Sequence, residues 1–195
     1  KRLYVHNDIY DDVRDRMIQI ARRAVVGDGS QQGTQFGPVQ NKAQYDRVMN
    51  LLESAKAEGL TIHQGATPDL EGYFVPLTII DNPPEDSRVV VEEAFGPILP
   101  MMRFDDIDEV IARANNTDYG LAGAVWSADI ERAVQIAGRL ETGTVWINEN
   151  LQSTPLTPLA GHKQSGFGAE NGIYGLREFT QPKAIYIPKS SDAVA

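Results

Sequence analysis

The 195-residue chain contains no cysteine. That absence excludes disulfides, thiolate metal sites and a cysteine nucleophile anywhere within it. Histidine is almost as scarce. His6, His63 and His162 are far apart and in no metal-ligand spacing, so no metal site is expected. Positive charge is short too: 18 Lys and Arg against 27 Asp and Glu leave a formal net charge of −9. With no basic stripe to offset it, that balance argues against nonspecific binding to nucleic acid or to an anionic membrane. No apolar run approaches the ~20 residues that span a bilayer, and the start has no signal-like pattern, so a cytoplasmic location is expected. What remains is an ordinary globular balance, 42% apolar and 23% charged, with ample chain for a core. The opening run Lys1-Arg2-Leu3-Tyr4-Val5-His6 reads as a strand without an initiator methionine or preceding turn, and so as the middle of something longer.

Asn7-Asp8 supplies cap candidates for a helix with Ile9, Val13, Met17, Ile20, Ala21 and Ala24 at helical spacing. Asn41 with Gln44 resembles a capping box for a helix lined by Tyr45, Val48, Leu52 and Ala55 and closed by Gly59. Strands are expected at Leu60–His63 and at Tyr73–Ile80, the latter on an edge or with a bulge because of Pro76. Asp105-Asp106 caps a helix carrying Ile107, Val110, Ile111 and Ala114. Leu121–Trp126 reads as a buried strand, Ile130–Leu140 as a helix capped from Ser127 or Asp129 and stopped by Gly143, and Thr144–Asn148 as a second buried strand. A Pro- and Gly-rich loop over Glu149–Gly168, a short helix to Phe179, a strand at Lys183–Ile187 and a frayed tail from Ser190 complete the chain. Helices alternating with apolar strands imply an α/β fold, a largely parallel sheet with helices on both faces.

The stretch Val89–Pro100, VVVEEAFGPILP, carries the most chemistry. Gly96-Pro97 turns the chain, which places Glu92, Glu93 and Phe95 at the end of a buried strand, where α/β proteins commonly hold ligands. A carboxylate beside an exposed aromatic suits a ribose and a flat ring. An acidic strand end with a core phenylalanine fits the same residues. Neighbours in extended chain point to opposite faces, so Glu92 and Glu93 cannot form an acid–base pair on one substrate. Only one faces a given site, and spacing does not say which. Pro158–Glu170, PLAGHKQSGFGAE, superficially suggests a phosphate cradle, but it fits neither the P-loop nor the dinucleotide fingerprint. A structural loop with close-packed glycines is the better reading, with His162 exposed upon it. For Gln44 helix capping suffices, Arg47 reads as solvated, and Trp126 and Trp146 read as core or pocket wall.

Four segments, EEAFGP (Glu92–Pro97), ANNTDYGLAGAVW (Ala114–Trp126), GTVWIN (Gly143–Asn148) and PLAGHKQSGFGAENGIYGLREFTQPK (Pro158–Lys183), resemble the aldehyde dehydrogenase superfamily in order and spacing. The resemblance runs from Lys1 to about Lys189. It implies oxidation of a small-molecule aldehyde to a carboxylic acid with NAD or NADP: a cysteine thiolate attacks the carbonyl, hydride leaves the thiohemiacetal, and glutamate-activated water hydrolyses the thioester. It further implies that residues 1–179 are the catalytic α/β domain, truncated at its start. Residues 180–195 would be an oligomerisation strand and tail, serving a homo-oligomer, dimer or tetramer, of the complete protein. The nucleophile, the general-base glutamate and nearly all of the cofactor domain belong before Lys1, so the chain alone is expected to be inactive and to hold no catalytic residue. A noncatalytic domain of the same fold, kept for binding or assembly, is the alternative.

Residue by residue, the resemblance assigns Glu93 to the nicotinamide ribose hydroxyls and Phe95 to packing beside that ribose. Gln44 and Arg47 fall at positions near the ribose, and Asn148 at a structural asparagine. Leu159 stands where a phenylalanine is frequent in the substrate pocket. Ala160 replaces a glycine and Ala169 an arginine.

Overall fold

A computed structural model of the chain describes residues 1–187. It divides into two compact units, the first covering Lys1–Val110 and the second beginning at Ile111.

In the first unit β1 (Leu3–His6) leads straight into α1 (Asn7–Arg23), followed by α2 (Lys42–Ala57), β2 (Thr61–Gln64), β3 (Thr78–Asp81), α3 (Arg88–Val91), β4 (Ile98–Phe104) and α4 (Ile107–Asn115), in which the boundary falls. The four strands form one sheet in the order β1-β4-β3-β2. β4 runs parallel to both β1 and β3, and β2 runs antiparallel to β3. The fold is therefore mixed α/β with a partly parallel sheet. Side chains alternate across it, and each face acquires its own core. Ile79 and Met101 join Val5, Tyr10 and Ala21 in one cluster, under α1. Their neighbours Ile80 and Met102 join Val48, Leu51, Leu52, Val89 and Ile98 in the other, under α2 and α3. Helices thus cover both faces of this sheet.

Several expectations need correction here. Val89–Val91 is a helical turn, not a strand. A three-residue apolar run has no period with which to distinguish the two, and burial of Val89 and Val90 beside α2 decides it. The helix α1 is capped by His6, whose Nδ1 accepts from the Asp8 amide at 3.3 Å, not by Asn7 or Asp8. Asn7 instead donates to Asp105. Its core positions are Tyr10, Ile18 and Ala21, and Ile9 and Ile20 are exposed. The strand expected over Tyr73–Ile80 begins only at Thr78, beyond Pro76, and lies between β4 and β2 instead of on an edge. Pro76 has no amide hydrogen to give to a ladder, and its carbonyl accepts the Thr78 hydroxyl at 2.9 Å.

The second unit holds β5 (Tyr119–Gly120), β6 (Ala122–Val125), α5 (Ile130–Ala137), β7 (Thr144–Ile147), β8 (Leu159–Ala160), β9 (His162–Lys163), β10 (Ala169–Glu170) and α6 (Gly172–Glu178). β6 pairs parallel with β7, β5 antiparallel with β9, and β8 antiparallel with β10. The Pro- and Gly-rich loop thus contains short ladders. Asp129 caps α5, its Oδ1 accepting from the Arg132 amide at 2.9 Å, and the helix ends at Gly138 instead of running to Leu140. β6 and β7 are only partly buried, and Trp126 is 67% exposed. Asn148 clamps their ends, accepting from the Ser127 amide and donating to the Ser127 carbonyl, both at 2.8 Å. The expected strand at Lys183–Ile187 is not formed: residues 181–187 carry no regular structure, and Ile185, Tyr186 and Ile187 are exposed. A strand needs a neighbour for its backbone groups, and among the described residues none pairs with this run. The tail from Ser190 lies outside the described residues. Among the described residues no helix is long and apolar enough to cross a membrane, and no group of three or more His, Asp or Glu is placed to hold a metal ion.

Tyr10 is a large polar side chain sealed beneath α1. Its hydroxyl donates to Asp81 Oδ1 at 2.6 Å, with the Met101 carbonyl oxygen 2.9 Å away, and the Arg103 guanidinium sits 3.7 Å over its ring. Tyr10→Phe is expected to cost about 1–2 kcal/mol, because it leaves a partly buried acceptor pair short of a donor. Burial, then the bond to Asp81, pushes the phenol well above its usual value of 10.0. The neutral hydroxyl is the form that the fold favours. Its contribution is therefore full below the unfolded-state pKa of about 10 and is lost progressively above it. Urea titrations of both proteins should give a gap that is constant near neutrality and narrows above pH ~10. A gap that widens there would contradict the assignment.

Candidate functional site

Three segments of the first unit build the site, and the last two of them line one depression. The first is the opening turn of α2, which contacts the second. Asn41 caps it, its Oδ1 accepting from the Gln44 amide at 2.9 Å. Only half of a capping box forms, because the Gln44 side chain turns away and its Nε2 donates to the Phe95 carbonyl at 3.2 Å.

The second segment joins α3 to β4. Glu92 is the C-cap of α3, already extended (φ −89°, ψ 140°), and Arg88 one turn back grips its carboxylate at 2.6 Å. The next side chain is consequently thrown the other way. Glu93 is exposed, Ala94 is buried as an anchor, and Phe95 is 68% exposed. Gly96 then lies flat on α2: a Cβ there would come within 2.7 Å of Val48 Cγ2. Its carbonyl accepts from the Ile98 amide at 2.9 Å and from the Lys1 ammonium.

The third segment is the loop around Phe36, tied to the end of α1 by bonds from the Gly27 amide to the Phe36 carbonyl (2.9 Å) and from the Phe36 amide to the Val25 carbonyl (3.1 Å). Lys1, Phe36, Gly37, Glu93, Phe95 and Gly96 line a depression of about 470 Å³.

The electrostatics separate the two glutamates. The Arg88 guanidinium holds the Glu92 carboxyl below the usual carboxylate range; desolvation opposes this and the charge of Arg47 adds to it. Partial desolvation holds the Lys1 ammonium below its usual value, against the attraction of Glu93. Glu92 is thus engaged on the protein, and Glu93 presents its carboxylate to the depression beside an exposed ring. A carboxylate next to an aromatic face is suited to accept hydroxyl protons while the ring covers a flat partner.

The expected residues Gln44, Glu93 and Phe95 are brought together. Arg47 is exposed three residues along α2 and acts on Glu92. Leu159 belongs to the second unit, half-buried in β8 opposite Glu170. The segment enters the sheet ahead of β4, not from the end of a strand as expected, since the residues before it are helical. Sequence reasoning missed Phe36, Gly37 and Lys1. A signal was available, because Phe36-Gly37-Pro38 repeats Phe95-Gly96-Pro97, and both tripeptides bear on the same depression.

The Gly-rich run of the second unit is a strut and not a cradle. Lys163 Nζ is spent on Glu141 (2.6 Å) and on the Asn115 carbonyl (2.7 Å), and Ser165 Oγ accepts from the Gly120 amide at 2.9 Å. A Cβ on Gly161 would come 2.6 Å from the Ser165 carbonyl oxygen.

The Aldehyde dehydrogenase family profile matches residues 1–185. The chain belongs to that family. Aldehyde dehydrogenase, cytosolic 1 of Macroscelides proboscideus is 41% identical over 185 residues, covering 94% of this chain and 37% of that protein. Betaine aldehyde dehydrogenase of Brucella anthropi is 40% identical, covering 95% and 39%. Among solved structures, the NAD+ complex of aldehyde dehydrogenase from Bacillus cereus superposes with a TM-score of 0.93 at 38% identity, covering 97% of this chain and 39% of that one. The chain therefore spans a little over a third of the length of these aldehyde dehydrogenases.

Proposed function

We propose that this chain is the part of an NAD(P)-dependent aldehyde dehydrogenase that supplies the nicotinamide-ribose side of the active site. The observation that carries the reading is the pairing of an exposed Glu93 carboxylate with an exposed Phe95 ring in one depression, in a chain of this family. Bound NAD(P)+ would supply the hydride acceptor. Glu93 would accept hydrogen bonds from the ribose hydroxyls, and Phe95 would cover the ribose and keep water from that side. Gln44 and Arg47 stand near this site on α2, and Leu159 is proposed as pocket wall. Residues 1–179 are taken as the catalytic α/β domain and 180–195 as the oligomerisation strand and tail of a homo-oligomer. A relative named for a cytosolic location supports a cytoplasmic one, and relatives named for betaine aldehyde support a small aldehyde as substrate.

The thiohemiacetal requires a cysteine, which these 195 residues lack. The purified chain is therefore expected to form no NADH from an aldehyde, while nicotinamide mononucleotide perturbs the amide resonances of Glu93 and Phe95. NADH formation by the chain alone would refute the division of labour, and perturbation confined to other residues would refute the ribose site. The absent cysteine also favours a second reading, a noncatalytic domain kept for binding or assembly. Activity recovered on joining the chain to the cysteine-bearing N-terminal part of a relative decides for the enzyme.

A further inference from the structure

We infer that Gln44 is a positioning residue, which acts through the backbone of Phe95 and fixes the turn that presents Glu93. The inference rests on the proposed ribose role of Glu93, but its geometry is independent of any cofactor. The capping role that its place in α2 suggests is carried by the Asn41 side chain and the Gln44 backbone amide alone. The Gln44 side chain is left over, and it spends its amide hydrogen on the Phe95 carbonyl, 51 residues away in sequence, at 3.2 Å.

One turn further along α2, Val48 is fully buried and fills the space that a Cβ on Gly96 would need. α2 thus holds consecutive residues of the turn by a polar and an apolar contact. On the far side of Gly96, the Ile98 amide donates to the Gly96 carbonyl as β4 begins. Glu93 lies between this pinned turn and the Arg88–Glu92 pair that ends α3. Its backbone is fixed from both sides while its carboxylate stays exposed. A donor is what the carbonyl of Phe95 requires; a ribose hydroxyl is served equally by the oxygen of the same amide.

Chymotrypsin cleavage after Phe95, whose ring is exposed, reads the order of the turn in the ligand-free chain. Where opening is fast, the cleavage rate follows the population of the open turn. Gln44→Ala and Gln44→Glu, which both remove the donor, are expected to raise cleavage there about fivefold, the factor for one hydrogen bond of ordinary net strength. Gln44→Lys, which keeps a donor, is expected to stay near the wild-type rate. Cleavage after the buried Tyr10 reports global opening and is expected to be unchanged in all three variants. Equal rates after Phe95 in all four proteins, a rise shared with Tyr10, or tolerance of Gln44→Glu would overturn the inference. Titration of each protein with NADH forms a separate arm. If Gln44→Ala loosens the turn although wild type shows no NADH contact at Glu93, the ribose reading fails and the positioning role stands.

Discussion

Gly143→Ala is expected to destabilise the second unit by about 4 kcal/mol or more, at the extreme of single-substitution effects. The added Cβ would lie 2.7 Å from the Ala160 carbonyl carbon and nearer still to its oxygen, far inside van der Waals contact. Neither side can give way cheaply. The Gly143 amide donates to the Gly120 carbonyl at 3.1 Å, and Thr144 immediately enters the ladder with Ala122. Ala160 is paired with Ala169 between β8 and β10. The obstacle is backbone on both sides, so no rotamer change relieves it. Trp126 and Trp146, the two tryptophans of the chain, both lie in this unit, so urea unfolding followed by tryptophan fluorescence reports it directly. Gly138→Ala is the control. It has an αR backbone, and its nearest contact is at an ordinary 3.6 Å. It should gain a few tenths to about 1 kcal/mol through the unfolded state. A Gly143→Ala protein that unfolds within about 1 kcal/mol of wild type would mean that the close approach of these backbones is not a structural requirement.

This contact also marks a limit of what the sequence declares. The Pro- and Gly-rich composition of Glu149–Gly168 predicts a loop with close-packed glycines, and Gly161 is one; Gly143, outside that stretch, reads from the sequence only as a helix stop. The two-residue ladders are invisible beforehand, since strands so short have no period and are defined by partners distant in the chain. The long helices are legible for the opposite reason: α1, α2 and α5 each repeat an apolar pattern over two or more turns. Even there, which residues face the core depends on the sheet beneath, so Tyr10 is buried and Ile9 is not. The short turn at Arg88–Val91 is a case of tertiary override. Three valines favour a strand, but two of them are buried beside α2, and the Arg88–Glu92 pair closes the turn. At the site, the sequence excludes a paired-carboxylate mechanism from adjacency alone, and the family resemblance selects Glu93. In the structure Arg88 engages Glu92, and Glu93 is left exposed. Capping is local, so spacing suggests that role for Gln44, yet only its backbone amide serves it. Its contact with Phe95 is long-range, and nothing in the spacing of the two residues announces it.

Glu93→Ala is expected to weaken binding of the nicotinamide cofactor about hundredfold. Two hydroxyl hydrogen bonds to a carboxylate at ordinary charged strength exceed the roughly 2.8 kcal/mol that this factor requires, even after the ribose regains water. Glu93→Gln keeps one acceptor oxygen and loses the charge, and about tenfold is expected of it. Glu92→Ala is expected to leave affinity within about twofold, because its carboxylate is committed to Arg88 at 2.6 Å; its cost is a few tenths of a kcal/mol from an exposed i,i+4 pair. The measurement is a titration of NADH fluorescence against the chain joined to the cysteine-bearing N-terminal part of a relative, with circular dichroism to verify folding. The contrast between neighbours carries the test. General loosening of the segment would affect both substitutions alike, whereas a directed carboxylate is sensitive at Glu93 only. If Glu92→Ala weakened binding as much as Glu93→Ala, the extended backbone at Glu92 would not be what sends the two side chains to different tasks.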